Sequence, residues 1–543
     1  MRVPLRCGLP VRLLPGLPRS FAVLLAAAAL LPAQVVVHVD AAASGANDGT
    51  SWADAFQSLQ AALQAAPVGG AGVEVWVAAG TYAPGVLGDR SATFALRNNL
   101  ALYGGFAGGE AARWRRDPAA NRTVLTGDLD HDDAIPGGSG WYNSAGSYLG
   151  NSCHVVTADA VDATAVIDGF TVEGGASGLG GSASGSGGAG VRATQASPTI
   201  ANCHFRHNYA VGGGALFASG GGPVVRDCRF EENLSFASHG GGIYMDGVAA
   251  AVVERCAFDG NVALENGGPP SAGGAVYLGF DSVNVRIVDS TFTGNQSIFR
   301  FAGPGGIYPM IGGGLFNGGQ DTRVERCTFR ANRTQQGGGI CSFRPMTVLD
   351  SVFDHNLVFS STNGGGWGGG IAIAEYQLTA TTSTIRGCTL IDNSASDEGG
   401  GVWIGGPVTC RPENCILRGN TDVEGNGNRS QSRGGRPRWS NISGFLFAPP
   451  GEDPIDPAEF PGCYDLPPQF VDRDGSDNIA GTADDDLRLL STSPCIDRGN
   501  PATGGGGVDA AGMPRRLDGD LDGGQRVDTG AHEFGHVRLL VGV

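Results

Sequence analysis

Apolar and polar residues alternate over short distances along most of this chain, and the alternation recurs. The pattern (Cys/Ser)-x-(Phe/Leu)-x-x-Asn occurs eight times, at Cys203–Asn208, Cys228–Asn233, Cys256–Asn261, Ser290–Asn295, Cys327–Asn332, Ser351–Asn356, Cys388–Asn393 and Cys415–Asn420. Successive asparagines lie 24 to 37 residues apart. A second pattern, two or three glycines and then apolar residues, keeps step with the first at Gly212–Phe217, Gly240–Tyr244, Gly273–Tyr277, Gly312–Phe316, Gly337–Ile340, Gly368–Ile371 and Gly399–Trp403. Two motifs in constant order with variable spacers describe one structural unit with loops of changing length.

Side chains two apart on a strand share a face, so the Cys and Phe of each copy point the same way. A patch that small cannot bury itself, but stacked on copies of itself it makes a continuous core. The shortest repeat is long enough for three short strands with turns, and coils of this kind stack at the strand spacing of about 4.8 Å. The fold class predicted is therefore all-β: a right-handed parallel β-helix solenoid with ladders of Phe, of small Cys/Ser and of Asn. The residue before each Cys or Ser is Asn202, Asp227, Arg255, Asp289, Arg326, Asp350, Gly387 or Asn414. Asn, Asp and Gly tolerate the left-handed backbone region, where one residue bends the chain and shifts side-chain parity. Arg255 and Arg326 depart from that rule without a reason visible in the sequence.

The flanks read differently. Arg2, Arg6, Arg12 and Arg19 precede the apolar run Phe21–Leu31, the pattern of an export signal covering residues 1–34. An 11-residue run is short for crossing a bilayer, and no second span follows, so the mature chain is expected outside the cytoplasm and not embedded in a membrane. Residues 35–186 read as an N-terminal cap and first coils. Val35–Val39, Val73–Val77, Gly80–Tyr82, Thr93–Leu96 and Leu100–Phe106 are predicted strands. A helix near Asp54–Ala66, N-capped by Ser51, would close the open end with Phe56, Leu59, Leu63 and Ala66. The repeat array runs over 187–420. Residues 421–543, rich in Asp and Pro, read as an irregular, loop-rich C-terminal cap.

Glycine, at 92 of 543 residues, has no collagen period and alternates with Val, Ile, Phe and Tyr, which favours regular turns over disorder. The net charge is −17, which speaks against nucleic acid as a partner. Every basic side chain is Arg, so lysine chemistry is excluded. Cys7 lies in the export signal, leaving eleven cysteines of the twelve. Those of the repeat share one register and read as buried free thiols, disulfides between coils or a metal site. Cys463 and Cys495 are a candidate disulfide.

The pairing of Gly-Gly-(Ala/Ile/Leu/Val) with Phe-x-x-Asn over roughly 187–420 resembles the repeats of the polymorphic outer-membrane-protein family. More broadly it resembles the pectin-lyase-like β-helix superfamily of secreted bacterial proteins. The first of these families usually ends in a membrane β-barrel, and this chain carries no long series of alternating terminal strands. The resemblance implies a secreted or cell-surface protein, with either adhesion and polysaccharide binding or carbohydrate-active enzymes as precedents.

Three acidic runs are candidates for calcium, with solvated turns as the other reading. They are Asp128-Leu-Asp130-His-Asp132-Asp133, Asp472-Arg-Asp474-Gly-Ser-Asp477 and Asp518-Gly-Asp520-Leu-Asp522-Gly523. The last opens like an EF-hand loop but has Thr529 where a Glu is expected. The long loops after Asn295 and Asn356 carry Phe299, Arg300, Phe301, Tyr308 and Trp367, a possible aromatic ridge for sugar rings. Glu231, Glu232, Asp259, Asp354 and His355 are the acid–base candidates for a polysaccharide lyase or glycoside hydrolase. The turn positions vary between coils, and none of the motif sets of such enzymes is present. The expected function is therefore non-enzymatic: a monomer, exported, that binds an extracellular glycan or cell-surface ligand. The alternative is an enzyme acting on an acidic polysaccharide.

Overall fold

The computed structural model describes residues 35–68, 72–133, 147–178, 187–265, 271–299, 310–359, 365–374, 381–423, 425, 427–445, 457–503, 507–521 and 524–535. Three long parallel sheets run along it. The first has twelve strands, from Val35–Val39 to Val408–Cys410. The second has twelve, from Gly80–Tyr82 to Asn441–Ile442, and the third eleven, from Phe94–Ala95 to Ser432–Arg433. Each strand pairs with its equivalent one coil away, without slip in the repeat array: Phe205 with Phe230, Phe230 with Phe258, Phe258 with Phe292. This is a parallel β-helix.

The predicted ladders form. Phe205, Phe230, Phe258, Phe292, Phe329 and Phe353 are fully buried and stack with ring centroids 4.4–4.9 Å apart. Each is worth on the order of 2–3 kcal/mol by burial alone. The asparagines form a second buried ladder. Asn295 Nδ2 donates to Asn332 Oδ1 (2.9 Å) and to the Phe258 carbonyl (2.9 Å), while its own Oδ1 accepts from the Asn261 backbone and side chain (2.9 and 3.0 Å). The thiols Cys203, Cys228, Cys256, Cys327, Cys388 and Cys415 are buried and unbridged. Each points its Sγ at the carbonyl two residues before it.

The left-handed turn is present at all eight positions before the Cys/Ser, with φ from 49° to 61°. The two arginines there have a structural reason. Arg255 makes a bidentate bond to Asp227 (2.6 and 2.9 Å), its equivalent in the preceding coil, and Arg326 does the same with Asp289 (2.6 and 3.0 Å). Stacking thus replaces intrinsic preference with an ion pair along the turn. A second left-handed position, just before each Asn, is absent from the sequence reading. His207, Glu232, Ala331, His355 and Asp392 all have φ near 50° there. Beyond it the chain extends into a fourth, six-stranded sheet from Tyr209–Ala210 to Leu357–Val358, so Phe299 ends a strand and is not in a loop. The glycine triplets answer three demands. Gly312 has φ 66°, a Cβ on Gly313 would fall 2.4 Å from the Gly338 carbonyl, and one on Gly314 would fall 2.9 Å from the Phe329 ring.

The N-terminal helix is Leu59–Ala65, shorter than predicted, and Ser58 caps it by accepting from Ala61 N–H. Ser51 instead bonds Asp54 (2.9 Å), and Phe56 bridges to Val39. Leu59, Ala62 and Leu63 close the apolar interior. At the other end Phe445 and Phe460 meet edge to face against the last coil. From about residue 465 the chain turns back along the outer face of the second sheet. Leu487 and Ala531 pack on Val352 and Ile391, and Leu489, Cys495 and Ile496 pack on Ile416. Arg515 anchors this strap, bonding Asp350 (2.6 Å) and the Gly387 and Gly530 carbonyls (3.1 and 2.8 Å). The Cys463–Cys495 disulfide is not formed: Cys495 Sγ accepts from Asn441 Nδ2 (3.1 Å) and Cys463 Sγ faces the Pro437 carbonyl (3.3 Å).

Candidate functional site

The turn between the first and second sheets is covered by the strap only in the later coils. In the earlier coils the same turn lines an open groove of about 1040 Å³. Its floor is the turn ladder Gly169, Asn202, Asp227, Arg255 and Asp289, together with the residues that start the second-sheet strands. Its wall is the segment 113–122, which follows the Leu100–Phe106 strand. Five arginines (113, 116, 122, 229 and 255) and three aspartates (117, 227 and 289) line it, and each of the five arginines is ion-paired with a carboxylate.

The arginines are held from below. Arg116 bonds Asp168 (2.6 Å), Arg122 bonds Glu173 (2.9 Å), and Arg229 bonds Glu231 and Asp259 (2.8 and 3.1 Å). Arg113 pairs with Glu74 and bonds Tyr103 Oη (2.8 Å). Guanidiniums fixed in this way lose little side-chain freedom when they meet a carboxylate or sulfate. Trp114 stands at the rim, 78% exposed, with Arg115 over its ring. The Arg255 guanidinium holds the Asp227 carboxyl below the usual carboxylate range. His204, also in the lining, sits 2.8 Å from Glu231. Burial lowers its pKa against the pull of that carboxylate.

The acid–base candidates are dispersed along the second sheet. Glu231 bonds His204 and Arg229, and Glu232 faces His207 at 3.2 Å. Asp259 is shared with Arg229, and burial raises its pKa. Asp354 is almost fully buried, bound to Arg330 (2.9 Å) and to His355 (2.5 Å), whose pKa that bond raises. Gly481 of the strap lies against the His355 ring, so this pair is under the strap and away from the groove.

The aromatic candidates divide. Phe301, Tyr308 and Arg300 lie outside the described residues. Phe299 is half-buried. Trp367 stacks on Trp403, centroids 4.5 Å apart and planes 7° apart. Along the same outer face Phe217, Tyr244, Tyr277 and Phe316 stack in series at 4.8–5.1 Å. Rings stacked on one another present edges to solvent, and a sugar needs a face, so this strip serves the fold first.

Of the acidic runs, two converge. Asp128, Asp130 and Asp132 bring carboxylate oxygens within 4.8 Å of one another, as do Asp518, Asp520 and Asp497; Asp522 is outside the described residues. Asp497 is distant in sequence and was missed. It accepts from Gly519, Asp520 and Arg526 N–H (2.9, 3.0 and 3.2 Å), so it organises that turn by itself. Asp472, Asp474 and Asp477 do not converge among the described residues; Asp484 gathers that loop through Ser476 and Thr482.

Residues 141–314 match the family described as the right handed beta helix region, which agrees with the coil geometry. No curated protein matches the chain. Among solved structures, pectate lyase Pel9A is similar over 92% of this chain and 97% of its own, at 13% identity and a TM-score of 0.40. A rhamnogalacturonan lyase is similar over 84% and 96%, at 13% identity and a TM-score of 0.38. A pectin methylesterase solved with a hexasaccharide is similar over 54% and 78%, at 15% identity and a TM-score of 0.24. The sheet topology and the family match together give a right-handed parallel β-helix. Among the described residues no helix is long and apolar enough to cross a membrane.

Proposed function

We propose that this is an exported, non-enzymatic β-helix that binds an extracellular polysaccharide in the groove beside the turn ladder. The observation that carries the reading is the groove itself: a long, open channel with prepositioned guanidiniums and one exposed indole at its rim. Guanidiniums recognise carboxylate and hydroxyl oxygens, and an indole face receives a sugar ring. The lining aspartate Asp227 is locked to Arg255 and serves to aim it, which is a positioning task. The mature chain is assigned to the exterior on its N-terminal export pattern.

His204 in the groove lining, beside Arg229 and 2.8 Å from Glu231, favours a second reading, in which the groove performs β-elimination on an acidic polysaccharide with His204 near the proton to be removed. One experiment separates the two. The purified protein is titrated with a panel of neutral and acidic polysaccharides while Trp fluorescence, reducing ends and absorbance near 235 nm are followed. Binding without turnover, lost in Trp114→Ala and weakened at least tenfold in Arg255→Ala, supports the proposal. Turnover abolished by His204→Ala replaces it with the second reading. Binding that survives both groove variants refutes the site.

A further inference from the structure

A second feature lies near the N-terminal coils, on the loop that leaves the second-sheet strand Thr123–Thr126. The loop is pinned by Ser152 N–H to the Gly127 carbonyl (2.8 Å). It brings the carboxylates of Asp128, Asp130 and Asp132 together, with ligand oxygens within 4.8 Å of one another. Among the described residues no arginine or histidine ion-pairs with any of the three. Three carboxylates this close repel one another, and the cost is highest where water is excluded.

Independent of the acids is Asn151, which is fully buried. Its Nδ2 donates to Asp133 Oδ2 (2.8 Å) and to the Gly174 carbonyl, so its amide lies against this loop. Its Oδ1 is buried without a hydrogen-bond partner, and so is Asp130 Oδ1. An amide oxygen buried with no donor is costly, and a cation is one partner that serves it and the neighbouring carboxylates at once. Gly150 adds a steric observation. A Cβ there would fall 2.1 Å from Asp130 Oδ2, so the space beside that carboxylate exists only because residue 150 has no side chain.

We infer that Asp128, Asp130 and Asp132, with the Asn151 amide oxygen, form a site for a hard divalent cation, calcium by its taste for carboxylate and amide oxygens in flexible loops. The ion would bind the loop after the second-sheet strand to the Gly150–Asn151 segment and offset the clustered charge. In the Asp497–Asp518–Asp520 group three backbone N–H groups already serve Asp497, against one, from His131 (2.7 Å), on Asp128.

The test uses the mature full chain, stripped with EDTA and titrated with CaCl2 by calorimetry, with terbium luminescence as a second readout. The expected result is one site whose Kd rises at least tenfold in Asp132→Asn, whose side chain is exposed, and in Asp130→Asn, and is unchanged in Asp520→Asn. Gly150→Ala keeps every carboxylate and is expected to weaken binding too, by displacing Asp130. Far-UV circular dichroism of each variant checks the fold. No binding up to millimolar calcium overturns the inference and leaves an ordered water as the partner of Asn151. So does binding that Asp132→Asn and Gly150→Ala leave intact.

Discussion

Replacing Asn295 by Ala removes one rung of the buried asparagine ladder. Four hydrogen bonds end on that side chain, and four groups lose a partner: the Asn261 backbone N–H, the Asn261 amide nitrogen, the Asn332 amide oxygen and the Phe258 carbonyl. All three asparagines are fully buried, so bulk water does not reach them in the intact coil. An unsatisfied buried group costs about 1–3 kcal/mol, and partial relaxation or an entering water recovers some of it. Asn261 Nδ2 keeps the Phe230 carbonyl (2.8 Å) and Asn332 Oδ1 keeps the backbone N–H of residue 295 (3.0 Å), so two groups are left to count and the expected loss is about 2 kcal/mol or more. Asn295→Asp keeps the acceptor for Asn261 but loses both donors and buries a charge, so it is expected to be no better. Thr293→Ala, on the same coil with its side chain turned outward, is the control and should stay within about 0.5 kcal/mol. Equilibrium guanidinium unfolding followed by circular dichroism measures all three. A loss below about 1 kcal/mol for Asn295→Ala would refute the dry ladder, because only a wet or slipped asparagine row tolerates the change so easily.

Further outcomes follow from the same geometry. The ladder thiols should not react with Ellman's reagent in the native protein and should react in denaturant; burial pushes Cys327 up to about 12, and half-buried Cys463 should label first. Arg515→Gln breaks the strap's bond to Asp350, and rapid hydrogen exchange over 507–535 with protected coils is the expected signature. Burial raises the carboxyl pKa values of Asp528 and Glu533 in that strap, to about 7 and about 8, with added repulsion from Asp497 on the first and from Asp528 on the second. The folded strap therefore holds protons that the unfolded chain releases, so this contribution is complete below about pH 4 and fades as pH rises towards and past neutrality. Exchange of the strap measured across that range should quicken with pH beyond the intrinsic amide rate.

What the sequence disclosed was what repeats. The Phe and Asn ladders were legible because each coil must place the same residue in the same place, so Phe230 and Phe258 announce one another. The left-handed turn before Cys was legible because Asn, Asp and Gly recur there. The equivalent turn before Asn was obscured, because Gly260, Gly294, Asp392 and Gly419 alternate there with His207, Glu232, Ala331 and His355, which have no common preference for that backbone and are held by their neighbours. Sites made across distant segments were the least visible. The groove joins segment 113–122 to turns from Gly169 to Asp289, most of them in later coils, and Arg515 reaches Asp350 across the strap. Asp354 and His355 looked like surface acid–base candidates because nothing local shows that Gly481 lies over them. Asp497 was missed as a partner of Asp518 and Asp520 for the same reason.

Register between coils is the premise on which the ladders, groove and cation site all stand. Thr199 and Arg323 are joined through Val224, Val252 and Arg286, which is four coil-to-coil steps. Spin labels at these two outward positions, read by double electron–electron resonance, should give a backbone separation of about 19 Å after allowance for the label arms. A single narrow distribution at that distance is the predicted result; one centred beyond about 30 Å, or spread over several distances, would contradict the stacked coil.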